Sequence, residues 1–205
     1  MDKFQKWYYV YLAIMLLLNL TIILTPIFAH LNLDNEASFF YNFYVPTCHQ
    51  WIYRSMCVFD NYSIGDCIEQ GEENNSNIFT EYTNDGIGYN GTFYYSRNQI
   101  ARMRAEKVER DGSVGYKFPN DARNMGIWLS MLIGGIYVLR RDPKVFPAGI
   151  WFILAIVPLG IDGITQMLEL RESTNLIRFS TGLIAGLGMS FYIYPIIHDL
   201  TRKRK

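Results

Sequence analysis

Four long apolar runs, separated by stretches of very different polarity, organise this chain. Between Trp7 and Leu33 there is no Asp, Glu, Lys or Arg, and residues 8–29 are long enough to cross a hydrocarbon core of about 30 Å at about 1.5 Å per residue. Lys3 and Lys6 precede the run as they would in a signal peptide. The run nevertheless exceeds the usual apolar region of about 7–15 residues and has no small-x-small cleavage site after it, so it is read as a retained span. Residues 124–139 form a shorter run bracketed by Arg123 and Arg140, whose long side chains can reach the two membrane surfaces. Residues 145–168 and 179–197 complete the set, each near the roughly 20 residues of a crossing helix. The expected fold class is an all-α membrane protein with four transmembrane helices, a single membrane domain over residues 1–205.

The polar stretch between the first two spans is expected to be one large loop over residues 32–123, of which 60–118 is a polar insertion. Its first part, Ser38 to Phe59, is rich in Phe, Tyr and Trp but interrupted by Pro46. A fifth crossing there would invert the charge pattern of every later loop, so the segment is read as interfacial or re-entrant, with its aromatic rings at headgroup depth. Aromatic and Thr-rich runs over 78–95, punctuated by Asn84-Asp85-Gly86 and Asn90-Gly91, predict a small hairpin. Ser96 with Gln99 reads as a capping box ahead of a short helix that ends at Asp111-Gly112, with Glu106 and Arg110 as an i,i+4 pair.

Charge then sets orientation. Lys and Arg stay on the cytoplasmic side during insertion, and with both termini inside, the cytoplasmic segments carry Lys3, Lys6, Arg140, Arg141, Lys144 and the Arg202–Lys205 tail. Residues 32–123 are then extracytoplasmic, in agreement with sequons at Asn61, Asn74 and Asn90. The expected location is the cell membrane. Nineteen basic residues balance nineteen acidic ones, and with no basic excess to meet phosphates, no nucleic-acid partner is expected.

Several polar residues stand where lipid makes them costly. Asp162, Thr165, Gln166 and Glu169 recur at helical spacing on one face of the third span, and Asn175, Arg178 and Thr181 do so at the start of the fourth. An ionised side chain inside a membrane is expensive unless paired, hydrated or protonated, so such residues are functional candidates by default. A short loop joins these spans, which makes Arg178 the expected partner of Asp162 or Glu169. With Cys48, His49, Gln50, Arg54, Asp121 and Arg123, these residues form one candidate outward-facing polar site. A buried network that only fixes helix register is the plainer alternative. Interhelical hydrogen bonds in membranes average only about 0.6 kcal/mol, a weak reason for so many charges.

The runs FYNFYVPTCHQWIYRS, NDARNMGIWLSMLIGG, GIDGITQ and ESTNLIRFSTGLIAG resemble a family of small archaeal and bacterial membrane proteins known as domain of unknown function 2085. The resemblance covers most of residues 39–190 outside the insertion. It implies a membrane fold and a site location but no reaction. Members pair Cys-His-Gln with a later Cys-x-Arg-Cys element, which implies a metal or thiol site. Here the second element reads Asp121-Ala122-Arg123-Asn124, so a metal would rest on Cys48, His49 and Asp121, or on Cys57 or Cys67 in place of the missing thiols.

Three cysteines allow one bridge. Outside the cell a structural Cys57–Cys67 disulfide is favoured over thiol catalysis, with Cys48 left as a free thiol. Three functional readings follow. One is a site for an ion or an anionic lipid headgroup, with arginines binding phosphate or carboxylate. The second is a small transporter or channel subunit, against which stand inner span halves nearly free of ionisable groups unless a homo-oligomer forms the pore. The third is a noncatalytic scaffold that binds a partner through its outer loop. Beyond the lipid bilayer, the expected partners are a metal ion or a lipid headgroup, and no cofactor is specified.

Overall fold

The computed structural model describes residues 3–47, 52–68, 78–81, 88–89, 106–110, 112–141, 147–168, 170–171 and 173–202. The fold is mostly helical, with one small antiparallel sheet: α1 (Lys3–His30), α2 (Asp34–Tyr44), a 3-10 turn (Ile52–Arg54), β1 (Met56–Phe59), β2 (Ile64–Asp66), β3 (Ile78–Glu81), β4 (Gly88–Tyr89), β5 (Lys107–Arg110), β6 (Ser113–Lys117), α3 (Ala122–Arg141), α4 (Gly149–Met167) and α5 (Asn175–Arg202). Helices α1, α3, α4 and α5 are each long and apolar enough to span a membrane. The spans expected at 8–29, 124–139, 145–168 and 179–197 thus lie on four helices, with shifted ends. The start of α5 matters most for the site: it begins at Asn175 because the Thr174 hydroxyl accepts the Ile177 N–H at 3.3 Å, an N-cap that draws Arg178 into the first turn.

The chain divides into two compact units, residues 1–20 with 123–205 and residues 21–122. In the first, α1 runs antiparallel to α3. Tyr8 donates to the carbonyl of Gly135 at 3.0 Å, Tyr11 to that of Met131 at 3.0 Å, and Asn19 to that of Trp128 at 3.0 Å, so partners descend α3 as donors climb α1. Each carbonyl has a second lone pair beyond its helical bond, which lets a side chain bind without breaking the helix.

Small residues set how closely α3 approaches α5. Gly126, Ser130 and Gly134 recur every four residues on α3, as do Gly182, Gly186 and Ser190 on α5. A Cβ at Gly126 would collide with the Phe179 carbonyl, one at Gly182 with the Arg123 carbonyl, and one at Gly186 with Ile127 and Ser130. Without a hydrophobic drive between helices in lipid, such close backbone contact is what holds a pair together. Helix α4 is different. Its large apolar side chains, Ile150, Trp151, Ile153, Leu154, Val157, Ile161 and Ile164, are exposed, as lipid-facing residues are, and the side chain it buries fully is Asp162.

The second unit is built on a six-stranded antiparallel sheet of order β2-β1-β6-β5-β3-β4. Its core gathers Ile52, Cys57, Phe59, Cys67, Ile68 and Val108, and a disulfide joins Cys57 to Cys67. Gly115 lies opposite Phe59 in the β1–β6 register, where any Cβ would enter the Phe59 ring. Helix α2 packs Ala37 and Tyr41 beside Ala29 of α1, and the buried Tyr41 hydroxyl donates to the Lys117 carbonyl of β6.

Two expectations for the loop change here. Of the hairpin expected over 78–95, the described residues show β3 and β4 paired Thr80↔Tyr89 and Glu81↔Gly88, within a larger sheet. The expected helix after Ser96 lies outside the described residues as far as residue 105, and its end is a strand. Lys107–Arg110 pairs with β3 and β6, and Gly112, at φ +76°, lies between β5 and β6. Val108 is fully buried between half-buried Lys107 and exposed Glu109, an alternation of period two that burial imposes over local helix preference. The aromatic segment Ser38–Phe59 also divides. Its second half, from Ile52 onward, belongs to the sheet unit's core, so α2 is the part to which an interfacial reading still applies.

Candidate functional site

The polar residues of spans three and four form one network in the first unit, and its centre is Asp162. Its carboxylate is 1% exposed and accepts from two guanidiniums at once: Arg123 Nη2 bonds Oδ2, and Arg171 Nη2 bonds Oδ1 at 2.9 Å. Gln166 lies one turn along α4 and donates from its amide nitrogen to Oδ2 at 2.9 Å and to the Asp162 carbonyl at 2.8 Å. A carboxylate in a lipid-facing helix avoids its desolvation cost only when every oxygen is satisfied by charge or hydrogen bonds, and this one meets that condition.

Gln166 also extends the network to α5. Its amide oxygen accepts from Arg178 Nη2 at 3.1 Å and Nε at 3.3 Å, while Arg178 Nη1 donates to Asn175 Oδ1 at 3.0 Å. Arg178 is therefore joined to Asp162 through the glutamine, and the other partner expected from the sequence, Glu169, lies outside the described residues. Geometry explains the link. Arg178 sits in the first turn of α5 beside Gln166, and Arg123 at the start of α3 and Arg171 in the connecting loop already occupy both carboxylate oxygens. Thr165 accepts from Arg171 Nε at 3.2 Å and returns its own proton to the Ile161 carbonyl.

Arg171 is the residue that sequence reasoning missed. It follows the span by only a few positions, in a loop that has to turn back over the end of α4, and that proximity was the available signal. Ser173, buried beside the same carboxylate, was missed as well.

Burial within the network is graded. Asn175 and Arg178 are nearly inaccessible, Arg123 keeps 25% of its side chain exposed and Arg171 41%. A guanidinium has five N–H donors. Arg123 Nε is buried without a hydrogen-bond partner, and Arg171 spends one Nη and its Nε, which leaves N–H groups of both that no described residue takes. Packing places the Arg123 guanidinium against Gly163, where a Cβ would sit 3.9 Å from Nη1. The arrangement can hold two cations in register at the end of a membrane helix.

The remaining candidates fall elsewhere. Cys48, His49, Gln50 and Glu169 lie outside the described residues. Arg54 closes the 3-10 turn of the second unit, and Asp121 precedes α3 in that unit. Cys57 and Cys67 are the disulfide pair. Among the described residues, no three His, Cys, Asp or Glu side chains gather as a metal site would require.

A family described as "Predicted membrane protein (DUF2085)" matches residues 113–192, a stretch that runs from β6 into α5 and includes every residue of the Asp162 network. An uncharacterised protein of Methanocaldococcus jannaschii is 39% identical over 93 residues, which is 44% of this chain and 60% of that protein. An uncharacterised protein of Methanothermobacter thermautotrophicus is 39% identical over 94 residues, 45% of this chain and 85% of its own length. No solved structure matches the chain. The four apolar helices, the matched stretch and these relatives together place the chain in the DUF2085 family of multi-pass membrane proteins, to which it belongs.

Proposed function

We propose that the Asp162 network is an anion site at the outer membrane surface, with Arg123 and Arg171 as the binding groups and a phosphate-bearing lipid headgroup as the ligand. The supporting observation is that a buried carboxylate in a lipid-facing helix holds two partly exposed guanidiniums whose remaining N–H groups have no partner among the described residues. Asp162 is then a positioning residue: both its oxygens are engaged, so its part is to fix the two arginines. Arginine suits the task because its planar fork matches phosphate geometry and stays charged at any working pH. In this reading the protein lies in the cell membrane with both termini cytoplasmic, and residues 32–123 face outward.

The test uses the full chain in nanodiscs made from an anionic phospholipid mixed with a zwitterionic one, with retained lipid measured by native mass spectrometry after detergent extraction. The wild type is expected to retain the anionic lipid preferentially. Arg123→Gln and Arg171→Gln should each weaken retention about 10- to 100-fold, the equivalent of one charge-assisted hydrogen bond of about 1.5–3 kcal/mol. A parallel arm with inorganic phosphate separates the sources, since thermal protection by free phosphate without lipid selectivity assigns the site to a soluble anion. Unchanged anionic-lipid retention in both variants, with no phosphate effect, refutes the site.

A further inference from the structure

Helix α2 has two faces of different character. Ala37, Tyr41 and Tyr44 recur at i, i+4 and i+7 and are buried within the second unit. Tyr41 is bonded to the Lys117 carbonyl, and the Tyr44 hydroxyl lies 2.7 Å from that of Thr21. The opposite face presents Phe39, 64% exposed, and Phe43, 54% exposed, one turn apart. Exposed Asn35, Asn42 and Glu36 flank them. Two outward phenylalanines within a polar margin are costly in water and suited to a boundary between water and hydrocarbon.

The chain fixes where such a boundary lies. Helix α1 is a membrane span that ends at His30, and α2 starts at Asp34. Three intervening residues reach at most about 11 Å even when fully extended, and Asn32, at φ 57°, turns the chain sharply within them. The start of α2 therefore cannot leave the surface of the leaflet in which α1 ends. Exposed apolar residues also run continuously across this junction: Ile23 and Ile27 one turn apart on α1, then Leu31 just past its end and Leu33. The sheet approaches the same level, because Asp60 in the β1–β2 turn lies 3.6 Å from His30 Nε2. Tyr62, two residues further on, is 85% exposed in a left-handed conformation.

We infer that α2 is an interfacial anchor. Its Phe39–Phe43 face lies in the headgroup and upper acyl region of that leaflet, continuous with the lipid-facing stripe of α1, and it holds the sheet unit against the membrane. The occupant of this face is lipid.

Nitroxide scanning of the full chain in proteoliposomes tests this. Cys48→Ser removes the native cysteine outside the disulfide, and single labels then replace Phe39, Phe43, Ile27 as the lipid reference and Glu109 as the water reference. Collision with oxygen is compared with collision with a water-soluble nickel chelate. At residues 39 and 43 the oxygen-to-nickel ratio should approach that at residue 27 and exceed that at residue 109 several-fold. A ratio at both sites equal to that at residue 109 means a water-exposed face and overturns the anchor. Low collision with both reagents means that a second copy or another protein covers the face, and overturns it equally. Because the substituted side chains point away from the core, native thermal stability of each labelled chain is the expected control result.

Discussion

The two arginines on Asp162 should differ in energy, and the difference can be predicted from burial. Removing one partner of a buried ion pair typically costs about 3–5 kcal/mol, mostly because the other charge is left unpaired. Arg123 is three-quarters buried and bonded to a carboxylate with 1% exposure, so its coupling to Asp162 should fall near the lower end, about 3 kcal/mol. Arg171 is 41% exposed, and exposed pairs couple by about 0.2–1 kcal/mol because water screens them. The assay is a pair of double-mutant cycles, Asp162→Asn with Arg123→Met and Asp162→Asn with Arg171→Met, read by reversible unfolding of the full chain in mixed micelles. The first coupling should exceed the second by about 2 kcal/mol. Raising salt should erase most of the second and little of the first. Equal couplings, or a larger one for Arg171, would refute the claim that Asp162 and Arg123 form the buried centre of the network.

Gly182→Ala and Gly186→Ala should each destabilise the helical unit by about 1–3 kcal/mol, because the added methyl meets the α3 backbone; Gly160→Ala, with nothing within 4 Å, should stay within about 1 kcal/mol of wild type. Replacing both Cys57 and Cys67 by Ala releases a loop of ten-residue separation, for which chain entropy predicts a loss of about 3 kcal/mol, visible as faster limited proteolysis of the sheet unit. Burial, with Glu106 and Tyr116 adding to it, holds the Tyr41 phenol well above its ordinary value of 10.0. Because folding raises this value, its contribution to stability is complete below pH 10 and is lost as pH rises above it toward the folded value. The difference titration at 295 nm between wild type and Tyr41→Phe should therefore show no ionisation near pH 10 in the folded chain.

The membrane helices were legible because lipid imposes the strictest composition rule available to a sequence, about 20 apolar residues in succession. Their ends were less so, since caps and side-chain contacts decide them. Thr174 starts α5 four residues before the apolar run does, and Pro147 with Ala148 delays α4 beyond the expected residue 145. The sheet was the least legible part. Its strands are two to five residues long, and short strands pair across distances that no local pattern encodes. Lys107–Arg110 has the residues of a helix and becomes a strand because β3 and β6 pair with its two edges while Val108 enters the sheet unit's core.

The site shows the same limit in a sharper form. Asp162, Gln166 and Arg178 could be found from sequence because a charged or amide side chain in or beside an apolar run violates a rule, and violations are visible. Arg171 violates nothing, since an arginine in a loop is ordinary. It becomes part of the site only because α4 ends at Met167 and the chain turns back within a few residues to start α5, which brings its guanidinium over the end of the helix it has just left. The expected partnership of Arg178 with Asp162 or Glu169 followed from opposite charge and the short loop that makes the two spans neighbours. The observed network follows from reach, with two cations arriving from outside the apolar stretch of α4 and the buried glutamine relaying to the third. Reach also separates the positions: Arg178, almost fully buried, sits at the joint between α4 and α5, whereas Arg123 and Arg171 keep open surface, which is why the proposed anion site rests on those two.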